Sequence, residues 1–321
     1  MDYGKILTRA FEITLKHRAL WVFGILLALF GGGGGGGNFN VPSGDVGSGT
    51  LPTIPPPSPE VLQLIAVFVG ALVCFALIWI VLSIILRFIS RAALIGLVQE
   101  LEAEQKMPTV RRGFSIGAEH FWRLLGIALV INIPLAIFSL VLILVALLPF
   151  LLTLLPALSS RGRVNAEELL ALVAAGGIGS LGLICCVALV LMLVAFIIHP
   201  IYQFITRTCV IQKIGVIDAI RVGYRIVRAN LGKVAVIYIL AIGIGLGFGL
   251  VMIPIVLILL AIPVGAGFVV YAVAQSVTPA IIVGIVVGIP MLLILIFIGG
   301  LYQTFESTYW TLGYRAVTVT T

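Results

Sequence analysis

Arg91, Arg207 and Glu306 are charged residues at the ends of long apolar segments, where ionisable side chains often serve a function. Aligned on their neighbouring motifs, the three segments place these residues at the same or adjacent positions. We predict that they converge in one polar cluster. Two roles are open for it: binding or gating an anion, or forming an ion pair that joins three parts of the chain.

A second group of charges suits contact with phosphates. Arg221, Arg225 and Arg228 follow one another at i, i+4 and i+7, so they form one basic stripe on a helix. An apolar stripe at helical spacing accompanies it, formed by Ile217, Ile220, Tyr224 and Val227. Such a helix is typical of the membrane interface, with its arginines on anionic lipid headgroups. Arg111 and Arg112, in a similar but shorter segment, are predicted to make the same contact.

Other chemistry finds little support in the sequence. The three histidines are far apart and no cysteine spacing resembles a metal site, so no metal or cofactor is predicted. His199 precedes a proline, and we expect it to cap backbone carbonyls freed by that proline. The sequence has no catalytic triad, no paired carboxylates and no Walker-type loop, so we assign no catalytic residue and favour a protein that is not an enzyme.

The elements that carry these residues are long apolar segments. Hydrophobic residues make up 61% of the 321 residues and charged residues 10%, against about 25% charged in soluble domains. A spanning helix needs about 20 apolar residues. The sequence predicts an all-α integral membrane protein with six transmembrane helices. The first begins near Ala19, and charge-free runs at 61–86, 124–160, 169–198 and 234–305 supply the others, the last run being long enough for two.

Positive charge is distributed unevenly between the predicted loops. With six spans, only Arg161 and Arg163 of the 19 Lys and Arg residues fall on one side of the membrane. The positive-inside rule then places both termini in the cytoplasm of a protein of the cell membrane. The net charge of +7 therefore indicates topology and a basic, lipid-facing cytoplasmic surface rather than nucleic-acid binding. Protein partners cannot be inferred.

A motif occurs three times, as Arg9-Ala-Phe-Glu-Ile, Arg112-Gly-Phe-Ser-Ile and Val222-Gly-Tyr-Arg-Ile. Each copy opens an amphipathic segment that leads into a pair of apolar segments. We predict a single membrane domain, 1–321, of three parallel repeats at about 1–106, 107–213 and 214–321, each an interfacial helix plus a helical hairpin. A Gly- and Pro-rich external loop is predicted at about 31–60. Residues 263–279 are either a turn, a re-entrant segment or part of span 5.

The opening Tyr3-Gly-Lys-Ile-Leu, the Leu20-Trp21 pair and the repeated Gly-[Phe/Tyr]-x-Ile carry a family resemblance. The chain resembles bacterial membrane proteins related to the integral membrane domain that accompanies some glycerophosphodiester phosphodiesterases. The catalytic barrel of those enzymes is absent, so the resemblance implies the membrane fold and not the activity.

Two functions remain open from the sequence. One is a non-enzymatic accessory protein that organises the membrane through its basic cytoplasmic surface, with the bilayer and anionic headgroups as partners. The other is a transporter or lipid-handling protein with a cavity between the three repeats. The only amide side chains in or beside spans 3, 5 and 6 are those of Asn132, Gln275 and Gln303. Few polar groups are therefore expected near the middle of the bilayer, where a transport cavity would need them, and this favours the accessory protein.

Overall fold

A computed structural model describes residues 2–30, 59–159 and 166–319. The described residues form α-helices, which confirms the predicted all-α class. In chain order the helices are α1 (Tyr3–Lys16), α2 (Arg18–Phe30), α3 (Pro59–Glu104), α4 (Val110–Ser159), α5 (Ala166–Gln212), α6 (Val216–Ala229), α7 (Leu231–Ala274) and α8 (Val277–Val319).

Five of these helices, α3, α4, α5, α7 and α8, contain segments long and apolar enough to cross a membrane, and the count is six if α1 and α2 form one bent span. Their most apolar windows are almost wholly exposed, with 0–6% of the window residues buried. Exposed apolar surface on this scale is stable only in lipid, because water does not tolerate large apolar patches. The helices therefore indicate a multi-pass membrane protein.

The buried residues concentrate toward one end of the apolar helices. Residues 92–98 of α3, 203–210 of α5 and 308–314 of α8 are buried almost without interruption. All three stretches lie at the ends that the charge distribution assigns to the cytoplasm. Packing between protein elements is thus strongest next to the predicted interfacial helices. The middle parts of the long apolar helices are exposed and would contact lipid.

The first amphipathic segment and the first span are separate helices. α1 ends at Lys16, α2 begins at Arg18, and the two axes differ by 96°. The indole Nε1 of Trp21 donates a hydrogen bond to the Thr14 carbonyl across the bend, at 2.6 Å. α2 has 13 residues, or about 20 Å at 1.5 Å per residue. The predicted end of this span in the glycine run, and the external loop up to residue 58, lie outside the described residues.

Two other connections refine the sequence interpretation. The second amphipathic segment is continuous with its span, because α4 runs without a break from Val110 to Ser159. The segment 263–279, left open by the sequence, is mostly the end of α7. That helix continues to Ala274, and α8 begins at Val277 after a two-residue turn in which Gln275 has φ of 48°.

The chain divides into two compact units, Met1–Phe121 with Ala235–Thr321, and Trp122–Val234. In the first unit, α2 packs against α8 and α3, and α1 packs against α8. In the second unit, α5 packs against α6. The predicted threefold repeat and its boundaries stay a prediction.

Glycines allow the closest helix crossing in the first unit. A Cβ on Gly24 of α2 would overlap Thr304 Oγ1 and the Gly300 carbonyl oxygen of α8. A Cβ on Gly300 would lie 2.8 Å from both the Cα and the N of Ile25. The two backbones therefore touch where neither residue has a side chain, as in small-residue contacts between membrane helices.

Candidate functional site: a basic interfacial helix and a charged groove

The interfacial helix α6 uses small residues to pack on α5. It runs from Val216 to Ala229, between the capping residues Gly215 and Asn230, and its buried residues are Ala219, Gly223 and Val227. These three positions are four residues apart and form one face of the helix. A Cβ on Gly223 would lie 2.9 Å from the Cα of Ile205, so glycine is what permits this approach of α6 to α5.

The remaining surface of α6 combines an apolar edge with a basic stripe. Ile217 is 70% exposed and Tyr224 50% exposed. Next to this edge, Arg221, Arg225 and Arg228 are all exposed, and none has a hydrogen bond or ion pair with the residues that the structure describes. An exposed apolar edge beside unpaired arginines fits the boundary between acyl chains and headgroups. The predicted stripe is therefore corrected in one respect, because Val227 faces protein and not lipid.

Arg111 and Arg112, the other predicted headgroup contacts, differ from each other. Both are exposed on the first turn of α4. Arg112 donates from Nε and Nη2 to the carboxylate of Glu100, with a shortest distance of 2.7 Å. Arg111 has no such partner among the described residues. The charge of Arg112 is thus largely compensated, and Arg111 is the one available to an anionic headgroup.

The predicted polar cluster is divided between the two units. Arg91 on α3 and Glu306 on α8 belong to the first unit, and Arg207 on α5 belongs to the second. The convergence of all three stays a prediction. Within its own unit, Arg207 is only 2% exposed and donates from Nη1 to the side-chain oxygen of Gln203, at 2.6 Å, and to its carbonyl oxygen.

A polar row extends from Arg207 along α5. The amide nitrogen of Gln203 lies 3.3 Å from Nε2 of His199, so His199, Gln203 and Arg207 follow each other at i, i+4 and i+8. A buried charge needs hydrogen-bonding partners of this kind, because desolvation alone is costly. His199 therefore has a polar side-chain partner in addition to any role beside Pro200.

A groove that the sequence did not predict lies in the first unit, between α1, the end of α3 and the end of α8. Its volume is about 700 Å³. Three acidic and three basic side chains line it, together with an apolar rim. The charged residues are Asp2, Lys5, Arg9, Glu12, Glu102 and Arg315. The rim includes Ile6, Leu312 and Val319.

Arg9 pairs with two of the acidic residues that line the groove. Its Nε donates to Glu102 at 2.9 Å, and its Nη1 donates to Glu12 at 3.0 Å. The side chain of Glu102 is only 19% exposed. Solvent and salt therefore screen the Arg9–Glu102 ion pair less than the Arg9–Glu12 ion pair. At the start of α1, Asp2 accepts a hydrogen bond from the backbone N–H of Lys5, which lowers the pKa of Asp2.

Arg315, which lies beside the backbone of Glu102, has few hydrogen-bonding partners. Its Nη2 makes one long hydrogen bond, 3.5 Å, to the carbonyl oxygen of Glu102. Its Nη1 is buried and has no partner among the described residues. Leaving a buried donor unpaired costs about 1–3 kcal/mol, and more when the group is charged. The groove therefore contains a cation that a bound anion would stabilise.

Residues 7–315 match a family described as a family of unknown function (DUF7544). The chain belongs to this family. No curated protein matches the chain significantly. No solved structure does so either.

The match to DUF7544 covers α2 to α7 completely and most of α1 and α8, so it includes the α6 surface and only part of the groove, since Asp2, Lys5 and Val319 lie outside it. The sequence indicated the α6 surface because its residues are close together in the chain. It did not indicate the groove because Arg9, Glu102 and Arg315 are far apart in the chain. The one available signal was Arg9 in the first copy of the repeated motif. Within residues 2–30, 59–159 and 166–319, no group of three or more His, Cys, Asp or Glu could hold a metal ion.

Proposed function

We propose that this DUF7544 protein is a non-enzymatic, accessory protein of the cell membrane that holds anionic lipid headgroups on a basic cytoplasmic surface. The observation that carries the proposal is the surface of α6. Its small-residue face is occupied by α5, and its outer face presents an apolar edge beside three arginines that have no partner among the described residues. Neither feature is needed to hold α6 in place, so both remain available to lipid.

The charge distribution supports the cytoplasmic placement. In the proposed orientation, α1, α6 and the first turns of α4 all lie on the side that carries most of the Lys and Arg residues. Arg111 and the arginines of α6 then face the leaflet surface, where each basic residue contributes about 1 kcal/mol of attraction to anionic lipid. Arg112 contributes less because Glu100 compensates it.

The proposed repeats draw support from three similar contacts, each inside one unit. Phe11 of α1 packs on Phe305 of α8, with ring centroids 6.5 Å apart. A Cβ on Gly117 of α4 would lie 2.6 Å from the Ile89 carbonyl oxygen of α3. In the second unit, Gly223 packs on Ile205. Each amphipathic segment thus rests on the end of a long apolar helix.

Lipid binding to the purified protein tests the proposal. Native mass spectrometry of detergent-solubilised protein measures its affinity for phosphatidylglycerol and for phosphatidylcholine. The double variant Arg221→Gln/Arg225→Gln should lose about 2 kcal/mol, or roughly 30-fold, of the affinity for phosphatidylglycerol. Raising the salt concentration should weaken the wild-type preference, because exposed charges are screened.

Lys106→Gln/Lys213→Gln is the matched control. It removes the same charge from exposed residues in short loops on the same predicted side, away from the apolar edge of α6. Its affinity for phosphatidylglycerol should stay within a few-fold of wild type. Equal losses in the two double variants would show that net charge alone governs binding and would refute the role of α6.

A further inference from the structure

The groove between α1, α3 and α8 has a charge pattern that the α6 surface lacks. Among the described residues its lining carries three acidic and three basic side chains, which balance in charge but differ in how they are paired. Arg315 has a buried donor without a partner among the described residues, and the carboxylates of Glu12 and Glu102 share Arg9. A ligand that complements this pattern must itself be zwitterionic.

The anion of such a ligand would pair with Arg315. Within the part of the chain that the structure describes, the guanidinium makes one long hydrogen bond, to the Glu102 carbonyl, and Nη1 is buried without a partner. The arginine side chain is flexible, and turning it toward the groove would exchange this arrangement for charge-assisted hydrogen bonds. Guanidinium suits phosphate well, because its planar fork can donate two parallel hydrogen bonds.

The cation of the ligand would bind at the carboxylates. Arg9 uses Oε1 of Glu102 and Oε2 of Glu12, which leaves the second oxygen of each carboxylate able to accept a further hydrogen bond. A primary ammonium has three N–H donors and can bridge two such oxygens. A quaternary ammonium has none, so the groove should distinguish the two.

We infer that the groove binds a headgroup that carries both a phosphate and a primary ammonium, such as the headgroup of phosphatidylethanolamine. The phosphate pairs with Arg315, the ammonium with Glu12 and Glu102, and the apolar rim at Ile6, Leu312 and Val319 contacts the uncharged part of the ligand. The inference rests on the proposed placement of α1 at the membrane interface, but it uses none of the α6 residues.

Headgroup selectivity of the wild-type protein is the first test, because it requires no variant. Native mass spectrometry compares phosphatidylethanolamine with phosphatidylcholine of the same acyl chains. Binding of phosphatidylethanolamine should be at least about 10-fold tighter, the equivalent of one charge-assisted hydrogen bond. Equal affinity for the two lipids would overturn the inference.

A water-soluble competitor identifies the source of the headgroup. Free phosphoethanolamine and free phosphocholine are titrated against the lipid-bound protein. Displacement by phosphoethanolamine alone supports the same chemistry with a soluble ligand as its source. Selectivity confined to the lipids supports the membrane as the source. Displacement by both compounds at equal concentration contradicts the role of Glu12 and Glu102.

Variants then locate the site. Arg315→Gln should weaken phosphatidylethanolamine binding at least 10-fold, and Arg315→Lys should restore part of it. Glu102→Gln should bring the affinities for the ethanolamine and choline lipids within a few-fold of each other, and Lys106→Gln should change neither. Arg221→Gln/Arg225→Gln should lose phosphatidylglycerol and keep phosphatidylethanolamine, which separates this inference from the proposed function. If the folded Arg315→Gln variant still prefers phosphatidylethanolamine over phosphatidylcholine as strongly as the wild type, the groove is not the binding site.

Discussion

The crossing of α2 and α8 yields the sharpest prediction about the fold. In Gly300→Ala the new methyl group would lie 2.6 Å from Ile25 Cγ1 and 2.8 Å from its Cα and N. Carbon atoms pack best at about 3.5–4.0 Å, so the helices must separate by roughly 1 Å. Two of the three contacts are backbone atoms, which no rotamer change can move.

The magnitude follows from two opposing effects. Overpacking a close contact costs about 1–3 kcal/mol, and the rigid backbone contact places this case near the upper end. Replacing glycine by alanine within a helix returns about 1 kcal/mol. The net loss in free energy of unfolding should therefore be about 1–2 kcal/mol. In α7, Gly247 is exposed and a Cβ there would meet nothing within 4 Å, so Gly247→Ala should gain up to about 1 kcal/mol.

Equilibrium unfolding of the two purified variants in mixed detergent micelles measures the difference directly. We expect Gly300→Ala to be about 2–3 kcal/mol less stable than Gly247→Ala, from the costs just given. Gly24→Ala should resemble Gly300→Ala, because its Cβ would overlap the same segment of α8. Equal stability of the Gly300 and Gly247 variants would refute a close crossing of α2 and α8.

Two further predictions concern α6 and the topology. Gly223→Ala should release α6 from α5 and speed amide hydrogen exchange across α6 at least 10-fold, whereas Gly232→Ala, where a Cβ meets nothing within 4 Å, should leave exchange unchanged. In a cysteine-free background, an impermeant maleimide should label Arg161→Cys in intact cells and Lys106→Cys only after permeabilisation; the opposite pattern would invert the proposed orientation.

The sequence was sufficient for the helical class and for the positions of the long apolar helices, because charge-free runs have few alternatives in length or environment. The three arginines of the basic stripe on α6 are exposed, and their contact with anionic headgroups stays a prediction. The sequence could not separate the apolar residues of α6 into those that face protein and those that face lipid. Ile217 and Val227 are both aliphatic, and only the position of α5 makes Val227 buried and leaves Ile217 exposed.

The groove shows a second kind of limit. Its charges come from the start of α1, the end of α3 and the end of α8, and Arg9 and Glu102 meet across 93 residues of sequence. Nothing local marks Glu102 as a partner, since its neighbours Glu100 and Glu104 have the same charge. Glu100 pairs with Arg112, and Glu104 with Lys106. Which acid meets which base depends on helix packing.

The repeated motif itself serves packing, and the copies differ in what they expose. Ala10, Gly113 and Gly223 occupy the same motif position, and all three are buried. The preceding position carries Arg9, Arg112 or Val222. Arg9 is paired with the groove acids and Arg112 with Glu100, whereas α6 carries its arginines elsewhere and leaves them unpaired among the described residues. A small residue at this position is buried in each segment, so the packing of the segment does not depend on the neighbouring charges, and the three segments differ in which of those charges are paired.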